Sequence, residues 1–503
     1  MYQRKSAAVA TTTTGEESGR PKRRRRRRPR RMRKKIERCA KVVVLPCAGL
    51  FFGALWIRLL WRIASNSGGG GGGSVATTAN TEPSFLLEAG FAPRCLDLDS
   101  PDDIGTTFTT QLSDDRLWMM EHHCAMYGPH PMSIAVYTNR TRTAILADLK
   151  GMGCRIDSGD AAATTAHVTV AVLDAHAHGA WNSYPVNELR NLALEGVRTT
   201  HALIADADFW PSTKLHEALS HRAVRQQLFD DPKLALVVPA FQLKRAETCA
   251  DETVECREEH VQRMPMELFA FQYMLEGNHS VEIFDPTNRG GHGSTNYQHW
   301  YQHQLLPHSE AERVVEIPCL KSRRYEPFLV IRYCRELVPP FQPAFSGYGK
   351  NKMAWVRQVV ASGFRLAQVG GQAYLVHYPH AISASRRDWN RAPEELVEHR
   401  KNSNNNNNNY SVRRPKKSDG DLGFGNYPRG RVDDLFVRFR EWLDATIPTD
   451  RARVHLCENA EGNDDARLWI DPTRKRWKTP KKKKNARDEL RNKVFHRNDD
   501  DAA

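Results

Sequence analysis

The chain has 503 residues, 40% of them hydrophobic, and carries 74 Lys and Arg against 59 Asp and Glu, a net charge of +15. This length and apolar content can bury the core of one large or two ordinary domains, which excludes a wholly disordered protein. Residues 20–38 hold fourteen basic residues and one Glu, so the rest of the chain carries a net charge of only +2. Because the basic charge is confined to a tail, a nucleic-acid-binding protein is not expected.

An apolar segment follows the basic tail. Residues 42–57 contain no charged side chain, and flanking Trp and Arg residues extend the segment toward the roughly 20 residues that a bilayer-spanning helix needs. We expect a basic cytosolic tail at 1–40 and a signal-anchor transmembrane helix at 41–64, with the following residues in the lumen because positive charge stays cytosolic. A cleaved signal peptide is the alternative, although its charged region is usually short.

The composition changes several times after this segment. A glycine run marks a flexible stem, and from residue 105 strand-like apolar runs alternate with helical patterns, which predicts a layered α/β domain. The expected divisions are a stem at 65–104, the domain at 105–395, an Asn-rich basic low-complexity insertion at 396–429, a helix packing on the domain at 430–446 and a charged tail at 447–503. The strand-like runs begin at Ser133, His167, His201, Leu234, Glu326 and Ala373, and the helical patterns at Asn187 and Lys352.

Two features are consistent with a luminal domain. Acceptor patterns for N-glycosylation occur at Asn139, Asn278 and Asn409. Eight of the ten cysteines follow the apolar segment, and none belongs to a paired C-x-x-C zinc pattern. Cys249 and Cys256 could close a small loop, but spacing alone does not fix disulfide pairing.

The segment HALIADADFWPS, residues 201–212, ends an apolar strand in two aspartates, Asp206 and Asp208. Ligands of open α/β sheets gather at the carboxyl ends of strands, and two carboxylates there suit Mg²⁺ or Mn²⁺ with positions left for substrate phosphates. The pair therefore predicts a metal-bridged nucleoside diphosphate. The alternative is that the aspartates cap a turn and that Pro211 and Ser212 start a helix.

Further motifs accompany the Asp pair in a fixed order. They are YPVNELRNLAL before it, and VVPAFQ, GHGSTNYQHW, YEPFLVIR, FSGYGKNKMAWV and YLVHYPH after it. From about Thr107 to His380 this succession resembles glycosyltransferase family 49, the family of LARGE-type and β-1,4-glucuronyltransferases. The resemblance implies a GT-A fold, which is Rossmann-like with a central mixed sheet, in a single-pass type II enzyme of the Golgi membrane.

The same resemblance implies substrates and cofactors. The enzyme would use Mn²⁺, or Mg²⁺, and a UDP-sugar, with UDP-glucuronic acid as the expected donor and a glycan as the acceptor. The sequence does not identify the acceptor glycan or the linkage, and a homodimer is one open oligomeric state. By position in the motifs, Asp206 and Asp208 would hold the metal and the diphosphate, and His377 would be the third metal ligand. His380 is a weaker candidate for that ligand, and a core histidine is the other interpretation of His377.

A helical motif carries the expected donor contacts. Asn187 and Arg190 are three residues apart and so share a helix face. Arg190 could pair with the phosphate or the uronate carboxylate of the donor through a bidentate contact. An ordinary surface ion pair of Arg190 with Glu188 or Glu195 is the alternative.

The segment GHGSTNYQHW is expected to line the substrate. Its glycines stand beside His292, Asn296 and Trp300, which would supply polar donors and an aromatic face to a sugar. A purely structural loop is the alternative.

The family inverts the anomeric centre, so an acidic side chain should remove the acceptor proton. Glu326 is the candidate for this general base. The chain departs from the family's pattern in PPFQPAF, where Gln342 replaces an acidic residue. An alternative function is therefore a catalytically weak or inactive GT-A-fold protein that binds glycans as a scaffold.

Overall fold

The computed structural model describes residues 84–156, 168–176, 184–249, 253–380, 386, 428–458 and 460. The chain divides into two units, Met1–Asn80 and Thr81–Ala503, and every described residue belongs to the second. The expected membrane span, the glycine run, the Asn-rich insertion with Asn409 and the end of the charged tail lie outside the described residues. Within the described ranges, no helix combines the length and apolar character needed to cross a bilayer.

The secondary structure alternates between strands and helices along the chain. The strands are β1 (Thr106–Ser113), β2 (Met132–Thr138), β3 (Val168–Asp174), β4 (His201–Ile204), β5 (Phe209–Pro211), β6 (Leu234–Val238), β7 (Ala240–Leu243), β8 (Val281–Ile283), β9 (Val314–Glu316), β10 (Cys319–Leu320), β11 (Phe328–Arg332), β12 (Arg365–Val369), β13 (Leu375–His377) and β14 (His455–Leu456). The helices are α1 (Met119–Met126), α2 (Arg142–Gly151), α3 (Val186–Glu195), α4 (Leu215–Leu219), α5 (Arg222–Asp230), α6 (Val254–Gln262), α7 (Leu268–Gln272), α8 (Arg289–His292), α9 (Tyr297–His299), α10 (Asn351–Ala361) and α11 (Pro428–Thr446). Single π-helical turns continue α7 over Tyr273–Gly277 and α9 over Trp300–Gln304.

The central sheet has eight strands in the order β3-β2-β1-β4-β11-β6-β12-β9. The pairs β2/β3, β1/β2, β1/β4 and β6/β12 are parallel, whereas β11 and β9 run antiparallel to their neighbours. A second sheet has the order β5-β13-β7-β8. The predicted α/β class with a central mixed sheet is confirmed.

The strand β1 lies near the centre of the sheet although its sequence, TTFTTQLS, is rich in threonine, and seven of its eight residues are buried. A buried hydroxyl needs a partner. Thr109 Oγ1 donates to the carbonyl of Leu203 at 2.9 Å, and Thr107 Oγ1 lies 2.7 Å from Thr199 Oγ1. Hydrophobic periodicity did not predict this strand, because most of its residues are threonine, glutamine or serine, which count as polar side chains.

Both faces of the central sheet are buried, since alternate residues of one strand enter different apolar clusters. Leu203 of β4 belongs to the larger cluster, while its neighbours Ala202 and Ile204 belong to a second cluster together with Trp355 and Val359 of α10. A third cluster joins α11 to the domain: Phe436, Phe439 and Leu443 pack against Phe345 and Met353. Helices therefore cover the sheet on both sides, and its functional side chains can reach solvent only at its edges.

Four disulfides join the eight cysteines that follow the apolar segment. The pairs are Cys95–Cys334, Cys124–Cys154, Cys249–Cys256 and Cys319–Cys457. The small loop suggested for Cys249 and Cys256 is thus closed by a disulfide. The bond between Cys319 and Cys457 lies beside the paired strands β10 and β14 and ties the segment after α11 to the domain.

Candidate functional site

The two aspartates lie at the carboxyl end of β4, where the chain leaves the central sheet for the second sheet. Strand β4 ends at Ile204, and β5 begins at Phe209 directly after Asp208. The alternative in which Pro211 and Ser212 start a helix is wrong, because Pro211 closes β5 and the next helix begins at Leu215.

Hydrogen bonds hold the backbone of the turn between β4 and β5 at the carbonyls of Asp206, Ala207 and Asp208. The carbonyl of Asp206 accepts from Phe209 N at 2.9 Å, and that of Asp208 accepts from Tyr378 N at 2.7 Å. His123 Nε2 donates to the carbonyl of Ala207 at 2.8 Å. His123 is fully buried, and burial lowers its pKa to about 4, so the ring is neutral and carries its proton on the nitrogen that faces Ala207. The turn is therefore fixed from three directions.

Two cations contact Asp206. Arg190 Nη2 lies 2.6 Å from Oδ1, and Lys352 Nζ lies 3.3 Å from Oδ2. Burial by itself would raise the pKa of Asp206, but the charges of Arg190 and Lys352 outweigh it and hold the pKa at about 2. The carboxylate is ionised at neutral pH, with a cation against each of its oxygens.

Asp208 has a different and asymmetric environment. Its Oδ2 lies 3.0 Å from His380 Nε2, 3.0 Å from Arg116 Nη1 and 3.8 Å from His377 Nε2. Its Oδ1 is shielded from solvent and has no hydrogen-bond partner among the described residues. Burial would raise the pKa of Asp208, but the hydrogen bond from His380 and the neighbouring positive charges hold it well below its usual range. A charged oxygen without a donor is the strongest local indication that a ligand belongs here.

The two histidines complete a compact set of ligand atoms. Asp208, His377 and His380 each offer one such atom, and all three atoms lie within 4.8 Å of one another. His377 ends β13 opposite Phe209 of β5, which brings it beside the aspartates. Burial lowers the pKa of His377 to about 4, and the neutral imidazole is the form that binds metals. A carboxylate with two imidazoles is a donor set that fits Mn²⁺ and other divalent transition metals.

Helix α3 delivers Arg190 to the site. Asn187 is fully buried; its Nδ2 donates to the carbonyl of Gln342 at 2.9 Å and its Oδ1 accepts from Arg190 Nη1 at 3.0 Å. Arg190 also donates to Asn351 Oδ1 at 3.0 Å. The pairing of Arg190 with Asp206 is thus found in place of the surface ion pair considered from sequence. Asn187 supports Arg190 and is itself enclosed by protein.

Glu326 and His292 lie on the side of the site where Lys352 enters. The amide of Glu326 donates to the carbonyl of Gly291 at 2.8 Å, which joins the two segments. Burial raises the pKa of Glu326 above its usual range, and the charges around it include Lys352 and Arg190. His292 is buried, and burial together with the charge of Lys352 lowers its pKa to about 3.

Three residues that the sequence patterns connected with the substrate or with catalysis make structural contacts instead: Asn296, Trp300 and Gln342. Asn296 is exposed and caps α9, with its Oδ1 accepting from His299 N at 3.1 Å. Trp300 is 0% exposed and donates from Nε1 to the carbonyl of Val369 at 2.8 Å, so it cannot present an aromatic face to a sugar. Gln342 is also 0% exposed; its side chain bonds the backbone of Leu86 and the side chain of Gln358. Trp300 and Gln342 are packing residues.

Three residues of the site were not predicted from sequence: Arg116, His123 and Lys352. Lys352 belongs to the quoted motif FSGYGKNKMAWV, and a basic residue at the start of a helix beside a glycine-rich turn was the available signal. Arg116 and His123 belong to no motif. Their contacts with Asp208 and Ala207 span 92 and 84 residues of chain.

The fold and the site define a class: a mixed α/β protein with carboxylate, imidazole and cationic side chains gathered at the carboxyl edge of its sheet. The family model described as "Glycosyl-transferase for dystroglycan", glycosyltransferase family 49, matches residues 154–410. The chain belongs to this family, and the resemblance found in its motifs is confirmed.

Relatives of known sequence agree with this assignment. The mouse xylosyl- and glucuronyltransferase LARGE2 is 29% identical over 310 residues, covering 58% of this chain and 36% of that protein. Chicken LARGE1 is 28% identical over 284 residues, covering 56% and 32%. The Dictyostelium discoideum glycosyltransferase-like protein gnt14 is 30% identical over 285 residues, covering 55% and 37%. The chain thus spans about a third of the length of these relatives.

Among solved structures, GalNAc-T7 with UDP, GalNAc and Mn²⁺ is similar at a TM-score of 0.31 and 9% sequence identity, covering 60% of this chain and 54% of that one. This similarity is too distant to assign a fold.

Proposed function

We propose that this chain is a metal-dependent, inverting glycosyltransferase with a GT-A arrangement, which transfers a sugar from a UDP donor to a glycan. The observation that carries the proposal is the convergence of Asp208, His377 and His380 at the edge of the central sheet, with Asp208 Oδ1 buried and without a partner among the described residues. Family membership supports a sugar-nucleotide substrate, and the LARGE relatives, which are xylosyl- and glucuronyltransferases, support UDP-glucuronic acid as the first donor to test and UDP-xylose as the second.

The residues present fit a divalent cation. Asp208, His377 and His380 would hold it, whereas Asp206, expected from sequence as a further ligand, has Arg190 and Lys352 against its two oxygens. When bound, Mn²⁺, or Mg²⁺, neutralises the charge that develops on a UDP leaving group. Arg190 and Lys352 lie against Asp206 at this site, and they are the cations that would pair with the phosphates or with a uronate carboxylate of the donor.

The transfer itself needs a base and an in-line approach. The acceptor hydroxyl attacks the anomeric carbon, the bond from that carbon to the UDP oxygen breaks, and UDP leaves with the electron pair. Glu326 takes the proton of the hydroxyl. Burial raises the pKa of Glu326, which makes its carboxylate a stronger base than an exposed one.

A luminal position on the Golgi membrane, with a single-pass type II topology, completes the proposal. The four disulfides are typical of an oxidising compartment. The acceptor asparagines Asn139 and Asn278 are both exposed. The basic tail followed by an uncharged apolar segment supports the anchor.

The alternative of an inactive glycan-binding scaffold rested on Gln342. Because that side chain is fully buried and bonds Leu86 and Gln358, it does not face the Asp pair, and the replacement of an acid there is no argument against turnover.

The test measures UDP release by the full-length chain with a panel of UDP-sugars, with and without Mn²⁺. The double variant Asp206→Asn/Asp208→Asn should abolish metal-dependent release. The matched control is Asp97→Asn/Asp99→Asn, which makes the same change in an exposed Asp-x-Asp and should leave release unchanged. A wild-type chain that binds glycans but releases no UDP with any donor would establish the scaffold instead.

A further inference from the structure

A strained turn precedes α10. In the segment FSGYGK, Gly347, Gly349 and Lys350 have positive φ values of 72°, 105° and 56°. Glycine adopts this region freely, but a lysine there is held at a cost. Lys350 is the residue that immediately precedes α10, so its conformation sets the direction in which the helix starts. Some interaction must keep it in place.

Helix α11 supplies that interaction. Lys350 Nζ lies 2.8 Å from Asp433 Oδ1, and the side chain of Asp433 is only 2% exposed. The same ammonium lies 4.8 Å from the ring centroid of Phe436, one turn further along α11. Removing one partner of a buried ion pair leaves the other charge without compensation, so loss of Asp433 alone should disturb this turn.

The turn positions the two residues that follow it, Asn351 and Lys352, in the site. Asn351 Oδ1 accepts from Arg190, and Lys352 Nζ lies 3.3 Å from Asp206. Asn351 Nδ2 also donates back to the carbonyl of Gly347 at 3.0 Å. The first two residues of α10 therefore contact both the aspartate and the arginine on which the proposed donor site depends.

The supporting helix lies outside the part of the chain that matches the family. The match ends at residue 410, and α11 begins at Pro428. We infer that the Lys350–Asp433 ion pair is a positioning device, through which α11 holds Asn351 and Lys352 against Arg190 and Asp206 and so sets the affinity for the donor. This inference rests on the proposed function for its effect on turnover.

The first test is Asp433→Asn in the full-length chain, with UDP release measured against donor and acceptor concentration. We expect the donor KM to rise about tenfold with the acceptor KM unchanged, because a small displacement of positioning groups is felt strongly in a binding site. Asp434→Asn is the matched control: this neighbour is 61% exposed and pairs along its own helix with Arg438 at 2.8 Å. A purely structural role for Asp433 would lower the amount of active enzyme and leave the donor KM unchanged, which would overturn the inference.

A second variant separates positioning from stability. Lys350→Met/Asp433→Asn removes both charges of the pair together, so neither is left facing the other's neutral replacement. Thermal stability should recover relative to Asp433→Asn, while the donor KM should stay raised. A donor KM that returns to the wild-type value in the double variant would show that the pair only stabilises the fold.

Hydrogen exchange distinguishes failure of this inference from failure of the proposed function. Asp433→Asn should increase amide exchange over residues 345–356 and leave β1 and β4 protected. This measurement needs no turnover. If the wild-type chain releases no UDP with any donor, the proposed function fails while the exchange data still decide the positioning role. Unchanged exchange over 345–356 overturns that role whatever the activity.

Discussion

At Asp208, one carboxylate oxygen lies within contact distance of three side chains, and the other is buried with no partner among the described residues. Leaving a buried acceptor unsatisfied costs about 1–3 kcal/mol. Proteins keep such costs mainly where a ligand or a catalytic step compensates for them. The sequence indicated the carboxylates, but which oxygen stays open depends on Arg116 and His380, which meet Asp208 across 92 and 172 residues of chain.

The two histidines can be tested separately. His377→Ala and His380→Ala should each weaken Mn²⁺ binding at least tenfold, measured by calorimetry, because each removes one ligand atom from a set of three. The control is His455→Ala, since His455 is exposed in β14. Wild-type Mn²⁺ affinity in either variant would remove that histidine from the ligand set.

Glu326 can be tested by removing its basicity while keeping its shape. Glu326→Gln should lower turnover by about 10² to 10⁴, the usual contribution of a general base, with donor affinity retained. Glu195 also has a pKa raised by burial but is an exposed side chain at the last residue of α3, five residues after Arg190, so Glu195→Gln should leave turnover unchanged. Intact turnover in Glu326→Gln would exclude this residue as the base.

The elements show where sequence patterns succeed. The runs that start at Ser133, His167 and Glu326 became β2, β3 and β11, because each is a mainly apolar segment of strand length. The run LALVVPAF was expected as one strand and forms two, β6 and β7, separated by Pro239, which cannot donate to a sheet. The run that starts at Ala373 became β13 of the second sheet, whereas β5 and β8 of the same sheet were not predicted, since each has only three residues and pairs with strands distant in sequence.

The packing of α3 against the sheet gives an element-level prediction. A Cβ at Gly196, which follows α3, would overlap the Ser133 hydroxyl and come within 2.8 Å of Thr169 Cγ2. Gly196→Ala should therefore destabilise the protein by about 1–3 kcal/mol, the usual cost of overpacking. Gly151, at the end of α2, has nothing within 4 Å of such a Cβ. Gly151→Ala is the control, and urea unfolding should show little change; equal effects of the two variants would contradict close packing at Gly196.

Across the whole molecule, neutral histidines are built into the interior. Burial lowers the pKa of His123 to about 4 and the pKa of His201 and His292 to about 3. All three are less than 9% exposed. Their folded pKa values lie below the value of about 6.5 expected in the unfolded chain, so the unfolded state binds more protons as the pH falls.

The contribution of these histidines to the free energy of unfolding should therefore be complete above pH 6.5 and should be lost as the pH falls from 6.5 toward 4. Between pH 7.5 and 5.5 each of the three histidines should reduce the free energy of unfolding by about 1 kcal/mol. Urea unfolding at the two pH values measures the sum over all histidines whose pKa is lowered, and His201→Asn should reduce the pH-dependent loss by the share of one ring, about 1 kcal/mol. A free energy of unfolding that is constant over this range would show that these rings are not held neutral.

The disulfide joins Cys319 to Cys457, which are 138 residues apart in sequence. The Asn-rich insertion lies between these two cysteines. A protease that cuts once within the insertion cannot free α11, since the two fragments stay covalently joined and the buried ion pair of Asp433 with Lys350 keeps its anchor. The domain should therefore keep α11 after a cut in the Asn-rich insertion, for as long as the disulfide is not reduced.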